Sequence, residues 1–220
     1  MHKSVQNLID IQNLVKSKLS DLNKIDRTPK IVAVSKTFKI EDILPLIEYG
    51  HNDFGENKVQ EAVDKWTEIK LNNPNIKLHM VGRLQTNKVK IALTLFDYIH
   101  SVDTEKLAKK IAEEQIKLNK KIKIFIQVNI GNEHQKSGIN KSEVKNLIVL
   151  CKEINLDVVG LMCIPPVNKD PSIYFQEMSM LNSSLGFSEL SMGMSSDYLK
   201  AVENSATYLR IGSNIFGSRD

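Results

Sequence analysis

The stretch that decides the fold is IVAVSKT at residues 31–37. Four apolar residues and a serine run straight into Lys36, with no polar alternation between them. An unbroken apolar run of this length reads as a strand covered on both faces, the kind found in parallel sheets. The lysine at its end needs a reason. A buried ammonium is costly, so such a residue is solvent-exposed, paired or chemically altered.

Working outward, seven more segments carry the strand signature, at 52–54, 78–82, 98–102, 122–129, 157–162, 189–192 and 207–211. Helical periodicity fills the gaps. A leading helix precedes every strand, with Val5, Leu8, Ile11, Val15, Leu19 and Leu22 recurring every three or four residues. Val59, Ala62, Val63 and Trp66 mark another, opened by Asn57 and Gln60 at capping-box spacing. Asn140 and Glu143 repeat that spacing before Val144, Leu147, Ile148 and Cys151. Asp170-Pro171 opens a helix with Tyr174, Met178, Leu181 and Leu185 on one face and Gly186 at its end. Eight strands alternating with helices predict an α/β fold, a single (β/α)8 TIM-type barrel with an extra N-terminal helix. We expect one domain over 1–220, with a leading helix at 1–24 and the barrel at 31–217. A doubly wound open sheet is the alternative.

The chain has 220 residues, 41% of them hydrophobic and 25% charged, which is ordinary for a soluble globular domain. Its formal net charge is +4, and 30 basic residues are interleaved with 26 acidic ones. KLAKKIAEEQIKLNKK (106–121) therefore reads as a solvated helix face and not as a nucleic-acid stripe. Cys151 and Cys163 form neither a CxxC pair nor a zinc spacing, and Cys151 falls on an apolar helix face. The five histidines show no paired ligand spacing, so no metal is expected. MHKSVQNLID lacks the pattern of a signal peptide, and no apolar run is long enough to span a membrane. The expectation is a cytoplasmic, monomeric protein that binds neither nucleic acid nor membrane.

In a barrel, function lies at the carboxyl ends of the strands, which places Lys36 at the mouth. A lysine among apolar neighbours loses proton affinity, and its free amine can condense with an aldehyde. SMGMSSDYLKAV (191–202) and RIGSNIFGSR (210–219) set small residues after the last two strands, including Gly193, Ser195, Gly212 and Ser213. Backbone N–H groups, hydroxyls and helix N-termini there can converge on a phosphate. Read singly, Ser195 is an ordinary N-cap and Gly212 an ordinary turn glycine; the pair in adjacent loops is more telling. Gly212 and Gly217 have Walker A spacing, but Ser218-Arg219 replaces the Lys-Ser/Thr pair, and no GxGxxG occurs. A reactive lysine opposite a phosphate cup fits a phosphorylated aldehyde. Pyridoxal 5′-phosphate (PLP) is the obvious candidate, and a Schiff-base aldolase acting on a sugar phosphate would use the same parts.

Seven segments in order carry a resemblance along essentially the whole chain. They are VAVSKT (32–37), FGENKVQE (54–61), HMVGRLQTNK (79–88), QVNIG…QKSGI (127–139), GLMCIPP (160–166), ELSMGMSSD (189–197) and RIGSNIFGSR (210–219). The chain resembles the YggS/PROSC family of PLP-binding homeostasis proteins, which is similar in fold to the barrel domain of bacterial alanine racemase. The resemblance implies that Lys36 carries PLP covalently as a Schiff base. It implies that Ser195 with the Gly193–Met194 backbone, and Gly212 with Ser213, hold the phosphate. Arg210 would face the pyridine nitrogen, Asn57 would lie beside the cofactor, and His79 would belong to the mouth or the interior. Ser213 stands where the family usually has threonine, and Arg83 where histidine or proline is common. Cys163 replaces threonine or alanine, as either an exposed, oxidisable thiol or a buried spectator.

An arginine at the pyridine nitrogen has only donors, so the ring nitrogen stays unprotonated and stabilises a carbanion poorly. Two-base racemisation also needs a second acid/base, a tyrosine from a second domain in alanine racemase. The chain is read as ending after strand eight without such a domain, and its five tyrosines have no evident claim to the role. The expected function is therefore intracellular PLP homeostasis, as a carrier or buffer that passes PLP to apoenzymes and catalyses nothing robustly. A slow amino-acid racemase and a PLP-responsive regulatory interaction protein are the alternatives.

Overall fold

The computed structural model describes residues 1–24, 27–133 and 135–217. His134, Ser218, Arg219 and Asp220 lie outside the described residues, and the end of the last quoted motif with them. Among the described residues, eight parallel strands close in sequence order, β1 to β8, into one barrel. The strands are β1 (Lys30–Val34), β2 (Asp53–Glu56), β3 (Lys77–Met80), β4 (Tyr98–Val102), β5 (Lys123–Val128), β6 (Asp157–Cys163), β7 (Glu189–Ser191) and β8 (Tyr208–Ile211). Each overlaps its predicted segment to within a few residues at either end. β1 pairs with β8 over Lys30↔Tyr208 to Ala33↔Ile211, the ladder that closes the ring and excludes the open sheet.

Helices cover the outside. They are α1 (Lys3–Asp21), α2 (Ile40–Glu48), α3 (Val59–Asn72), α4 (Val89–Leu95), α5 (Glu105–Lys117), α6 (Val144–Glu153), α7 (Pro171–Ser184), α8 (Tyr198–Glu203) and α9 (Ser213–Phe216). α1 buries Val5, Leu8, Ile11, Val15 and Leu19, each worth about 1.5–3 kcal/mol on full burial. Its Asn7 donates to the Ile215 carbonyl at 2.9 Å, tying α1 to α9. α7 starts where predicted, with the Asp170 side chain accepting from Ser172 N–H and Pro171 at its first position.

Two predicted capping boxes do not form. α3 begins at Val59 with Lys58 as N-cap, because Asn57 is held at the mouth with its backbone against Gly82, where a Cβ would lie 2.4 Å from the Asn57 carbonyl. Asn140 opens a short 3-10 turn (Lys141–Glu143), and its amide donates to Glu143 Oε2 at 3.1 Å in place of a backbone group. On α5, pairs such as Lys109–Glu105 at 3.1 Å lie in solvent and contribute little to stability.

Two apolar clusters result. The larger fills the layer between sheet and helices. The smaller fills the barrel itself, with Val32, Tyr98, Phe125, Met162 and Tyr208. Polar side chains share that interior, among them His79, His100, Ser191 and Arg210, all buried. No helix among the described residues is long and apolar enough to cross a membrane.

Candidate functional site

Lys36 is the second residue after β1, on a turn fixed from behind. Ser35 Oγ donates to Glu56 Oε1 at 2.8 Å, and the same oxygen accepts from Trp66 Nε1 at 2.9 Å and Lys65 Nζ at 3.0 Å. Lys65 also donates to the Ser35 carbonyl at 2.9 Å and to Glu61 Oε1 at 3.1 Å. Glu61 Oε1 then accepts the Thr37 N–H at 2.5 Å. Both neighbours of Lys36 are thus anchored, and Thr37 is held at φ 69°, a left-handed conformation that a β-branched residue adopts only under constraint. Burial and the Thr37 and Lys65 hydrogen bonds act on Glu61 in opposite senses, and its carboxyl ends below the ordinary range.

The mouth opposite is made by the segments after β7 and β8. Ser195 Oγ accepts from Gly212 N–H at 3.2 Å and Asn214 N–H at 3.4 Å, and Asn214 Nδ2 donates to the Ser195 carbonyl at 2.9 Å. The two loops are stitched together around one hydroxyl, whose own hydrogen is left to donate. α8 has six residues and α9 four, so the donors are individual N–H groups and hydroxyls, with little macrodipole behind them. Met194 N–H donates to Asp197 Oδ1 at 2.6 Å, and burial pushes the Asp197 carboxyl up from its usual value.

Lys36, Asn57, Met194, Ser195, Arg210, Gly212 and Ser213 all line one cavity of about 620 Å³ at the mouth. Gly193, also expected at the cofactor, is not among the residues that line it. Its φ is 89°, a Cβ there would meet Ala201 Cβ at 2.6 Å, and its carbonyl accepts Arg210 N–H at 2.9 Å. Arg210 is buried, with Nη1 donating to Ser191 Oγ at 2.7 Å and Nη2 to the Cys163 carbonyl at 2.9 Å. Burial pushes the guanidinium down from its usual range, against the opposing influence of Cys163 and Asp197. Cys163 is fully buried and burial pushes its thiol up to about 12, so of its two readings the exposed, oxidisable thiol is corrected to a buried one. His79 belongs to the interior, fully buried.

Several residues at the cavity escaped sequence reasoning. Gln127, Asn129, Lys136 and Ser137 line it, next to the exposed Arg83, which the sequence already marks as a departure at the mouth. The QKSGI segment folds back along β5, with Ile139 N–H on the Gln127 carbonyl and Asn129 N–H on the Ile139 carbonyl, both at 2.9 Å. Gly138 makes this possible with φ 117°, its N–H donating to Asp103 Oδ2 at 3.0 Å. The signal was present: inward positions of a strand alternate, so Gln127 follows Phe125 on the inner face.

A closed parallel barrel with a lysine on one side of its mouth and a donor-rich pair of loops on the other defines a class of small-molecule-binding barrels. The family model for the alanine racemase N-terminal domain matches residues 9–220. A pyridoxal phosphate homeostasis protein of Pasteurella multocida is 33% identical, the match covering 98% of this chain and 97% of that one. Its counterpart in Vibrio alginolyticus is 36% identical, covering 96% and 97%. The solved structure of PipY from Synechococcus elongatus with PLP bound is 30% identical, covers 92% of this chain and 100% of that one, and superposes with a TM-score of 0.81. Clostridium difficile alanine racemase shares the fold, at 16% identity and TM-score 0.75, over 99% of this chain and 57% of the racemase. The chain belongs to the alanine racemase N-terminal domain family and, within it, to the pyridoxal phosphate homeostasis proteins.

Proposed function

We propose that this chain holds PLP in the mouth of the barrel through a Schiff base to Lys36, and that it carries and buffers the cofactor without running a reaction on it. The observation that supports this is the convergence of Lys36, Arg210 and the Ser195–Gly212–Asn214 cluster on one cavity. The donor set fits a phosphorylated pyridoxal. The Ser195 and Ser213 hydroxyls would take the phosphate, joined by the Met194 and Gly212 N–H groups once these leave Asp197 Oδ1 and Ser195 Oγ, with Gly193 shaping the turn. Asn57 lies beside the ring and Arg210 faces its nitrogen. Bound PLP supplies an imine-forming aldehyde and an electron-withdrawing ring.

The carrier reading rests on what surrounds that ring. Arg210 offers donors only, so it keeps the ring nitrogen an acceptor and weakens the electron sink. Among the described residues lining the cavity there is no Asp, Glu, His, Tyr or Cys. The one lysine besides Lys36, Lys136, is engaged with Glu133 Oε2 at 2.7 Å and the Pro165 carbonyl at 3.2 Å, so no side chain stands ready as a second acid/base. Tyr98, Tyr198 and Tyr208 are buried elsewhere, Tyr49 is exposed after α2, and Tyr174 lies on α7. The proposed recipients of PLP are apoenzymes that require it, and the proposed working form is a monomer in the cytoplasm.

Borohydride treatment of protein incubated with PLP should fix the cofactor to the peptide containing Lys36, and Lys36→Ala should abolish that label. A protein that stays colourless and unlabelled in excess PLP would overturn the binding reading. Deuterium from solvent entering Cα of an L-amino acid with many turnovers would overturn the carrier reading.

A further inference from the structure

The cavity leaves one buried polar system unused. Inside the barrel, His79 Nε2 lies 3.0 Å from Asp53 Oδ1, and His79 Nδ1 lies 3.0 Å from His100 Nε2. His100 Nδ1 lies 2.8 Å from Ser191 Oγ, which accepts from Arg210 Nη1 at 2.7 Å. Four hydrogen bonds thus join Asp53 on β2 to Arg210 on β8, at the cavity. Tyr98 stacks on His79 and Phe125 on His100, with ring centroids 4.4 Å apart in each pair, so neither imidazole is free to swing away.

The hydrogens in this chain can point only one way. An arginine carries only donors, and an ionised carboxylate only acceptors. Burial would raise the Asp53 carboxyl, but the His79 hydrogen bond and the Lys30 charge hold it below its ordinary value, so it is ionised. His79 therefore gives its Nε2–H to Asp53. Burial pushes both imidazoles down, His100 furthest, so near neutral pH each carries a single N–H. His79 Nδ1 is then an acceptor and takes the Nε2–H of His100. His100 Nδ1 in turn accepts the Ser191 hydroxyl hydrogen, and the Ser191 oxygen is left to accept from Arg210. The guanidinium already holds all its protons, so this chain sets direction and does not conduct.

We propose that Asp53, His79, His100 and Ser191 are positioning residues whose one-way hydrogen-bond chain locks the Arg210 guanidinium, and so decides which of its N–H groups face the cavity. With Nη2 held by the Cys163 carbonyl, Arg210 has no freedom to rotate toward another partner. Its effect on the bound cofactor rests on the PLP reading given above; the chain itself does not.

The test separates the two. Histidine ¹⁵N NMR of the cofactor-free protein reads the tautomers directly. Wild type should show neutral Nε2–H forms at both His79 and His100. His79→Phe keeps a ring against Tyr98 but removes the acceptor, and His100 should switch to Nδ1–H. His79→Asn, which keeps an acceptor oxygen near the old Nδ1 position, should restore Nε2–H. With PLP bound, His79→Phe should shift the visible band and release the cofactor about tenfold faster, while His79→Asn stays close to wild type. Should His79→Phe not fold, Ser191→Ala removes only the hydroxyl between His100 and Arg210 and gives the same release comparison. An Nδ1–H or charged imidazole in wild type overturns the proposal. So does a broken chain with unchanged band and release rate. If wild type takes up no PLP, the cofactor reading fails while the tautomer result still decides the chain.

Discussion

Replacing Gly193 with alanine tests whether the turn after β7 owes its shape to backbone conformation and close packing. Gly193 sits at φ 89°, and an added Cβ would lie 2.6 Å from Ala201 Cβ and 3.1 Å from Tyr198 Cα. The left-handed backbone costs an L-residue about 1–2 kcal/mol. Forcing a methyl into that contact costs about 1–3 kcal/mol more, because α8 must move away. The combined loss is about 2–5 kcal/mol, or about 4–20 °C in Tm for a chain of this size. Because Met194 and Ser195 follow directly, PLP retention should fall as well. Thermal melts with and without PLP read both effects. Gly212→Ala is the control: its φ is −116° and its nearest contact is the Val34 carbonyl at 3.2 Å, so its stability loss should be smaller. A Gly193→Ala protein that melts within a degree of wild type would refute the reasoning, since neither strain nor overlap could then be real.

Ser195→Ala strips the acceptor from Gly212 and Asn214 N–H, and should cost about 1 kcal/mol of stability and speed PLP release, measured by melt and by dialysis. Trp66→Phe removes the indole donor to buried Glu56 and should cost about 1.5–3 kcal/mol by urea titration; an unchanged midpoint would discount the network behind Lys36. Burial pushes the Cys151 and Cys163 thiols up to about 12, so native protein at pH 8 should resist a thiol reagent until it unfolds, and rapid labelling would contradict the packing. His51, His79 and His100 are all held below the ordinary value of 6.5 by burial, so the unfolded chain binds more protons there. Their contribution is complete above pH 6.5 and is lost as pH falls through and below it. Stability measured by urea between pH 7.5 and 5.5 should fall accordingly, and a flat profile would refute it.

The strands were legible because a parallel barrel covers both faces of each, leaving runs such as IVAV and IFIQV that need no partner to be recognised. α1 was legible for the complementary reason, one buried stripe at helical spacing. Asn57 shows where local reasoning stops. Its spacing to Gln60 is that of a cap, but at the end of β2 it is held against Gly82 and lines the cavity, and the helix starts later. His100 escaped for a similar reason, since YIHSV reads as one more apolar strand and nothing adjacent in sequence marks the imidazole.

Local pattern alone specifies the alternation of elements, the position of Lys36 just past β1, and the small-residue turns after β7 and β8. These follow from local propensity and from which side chains water rejects. Closure of β8 onto β1 was decided only in three dimensions. That step brings Arg210 level with Val32, joins Ser195 to Gly212, and lines up Asp53, His79, His100 and Ser191 from β2, β3, β4 and β7 inside one wall. Register between strands far apart in the chain depends on the whole ring closing at once, so no single segment encodes it.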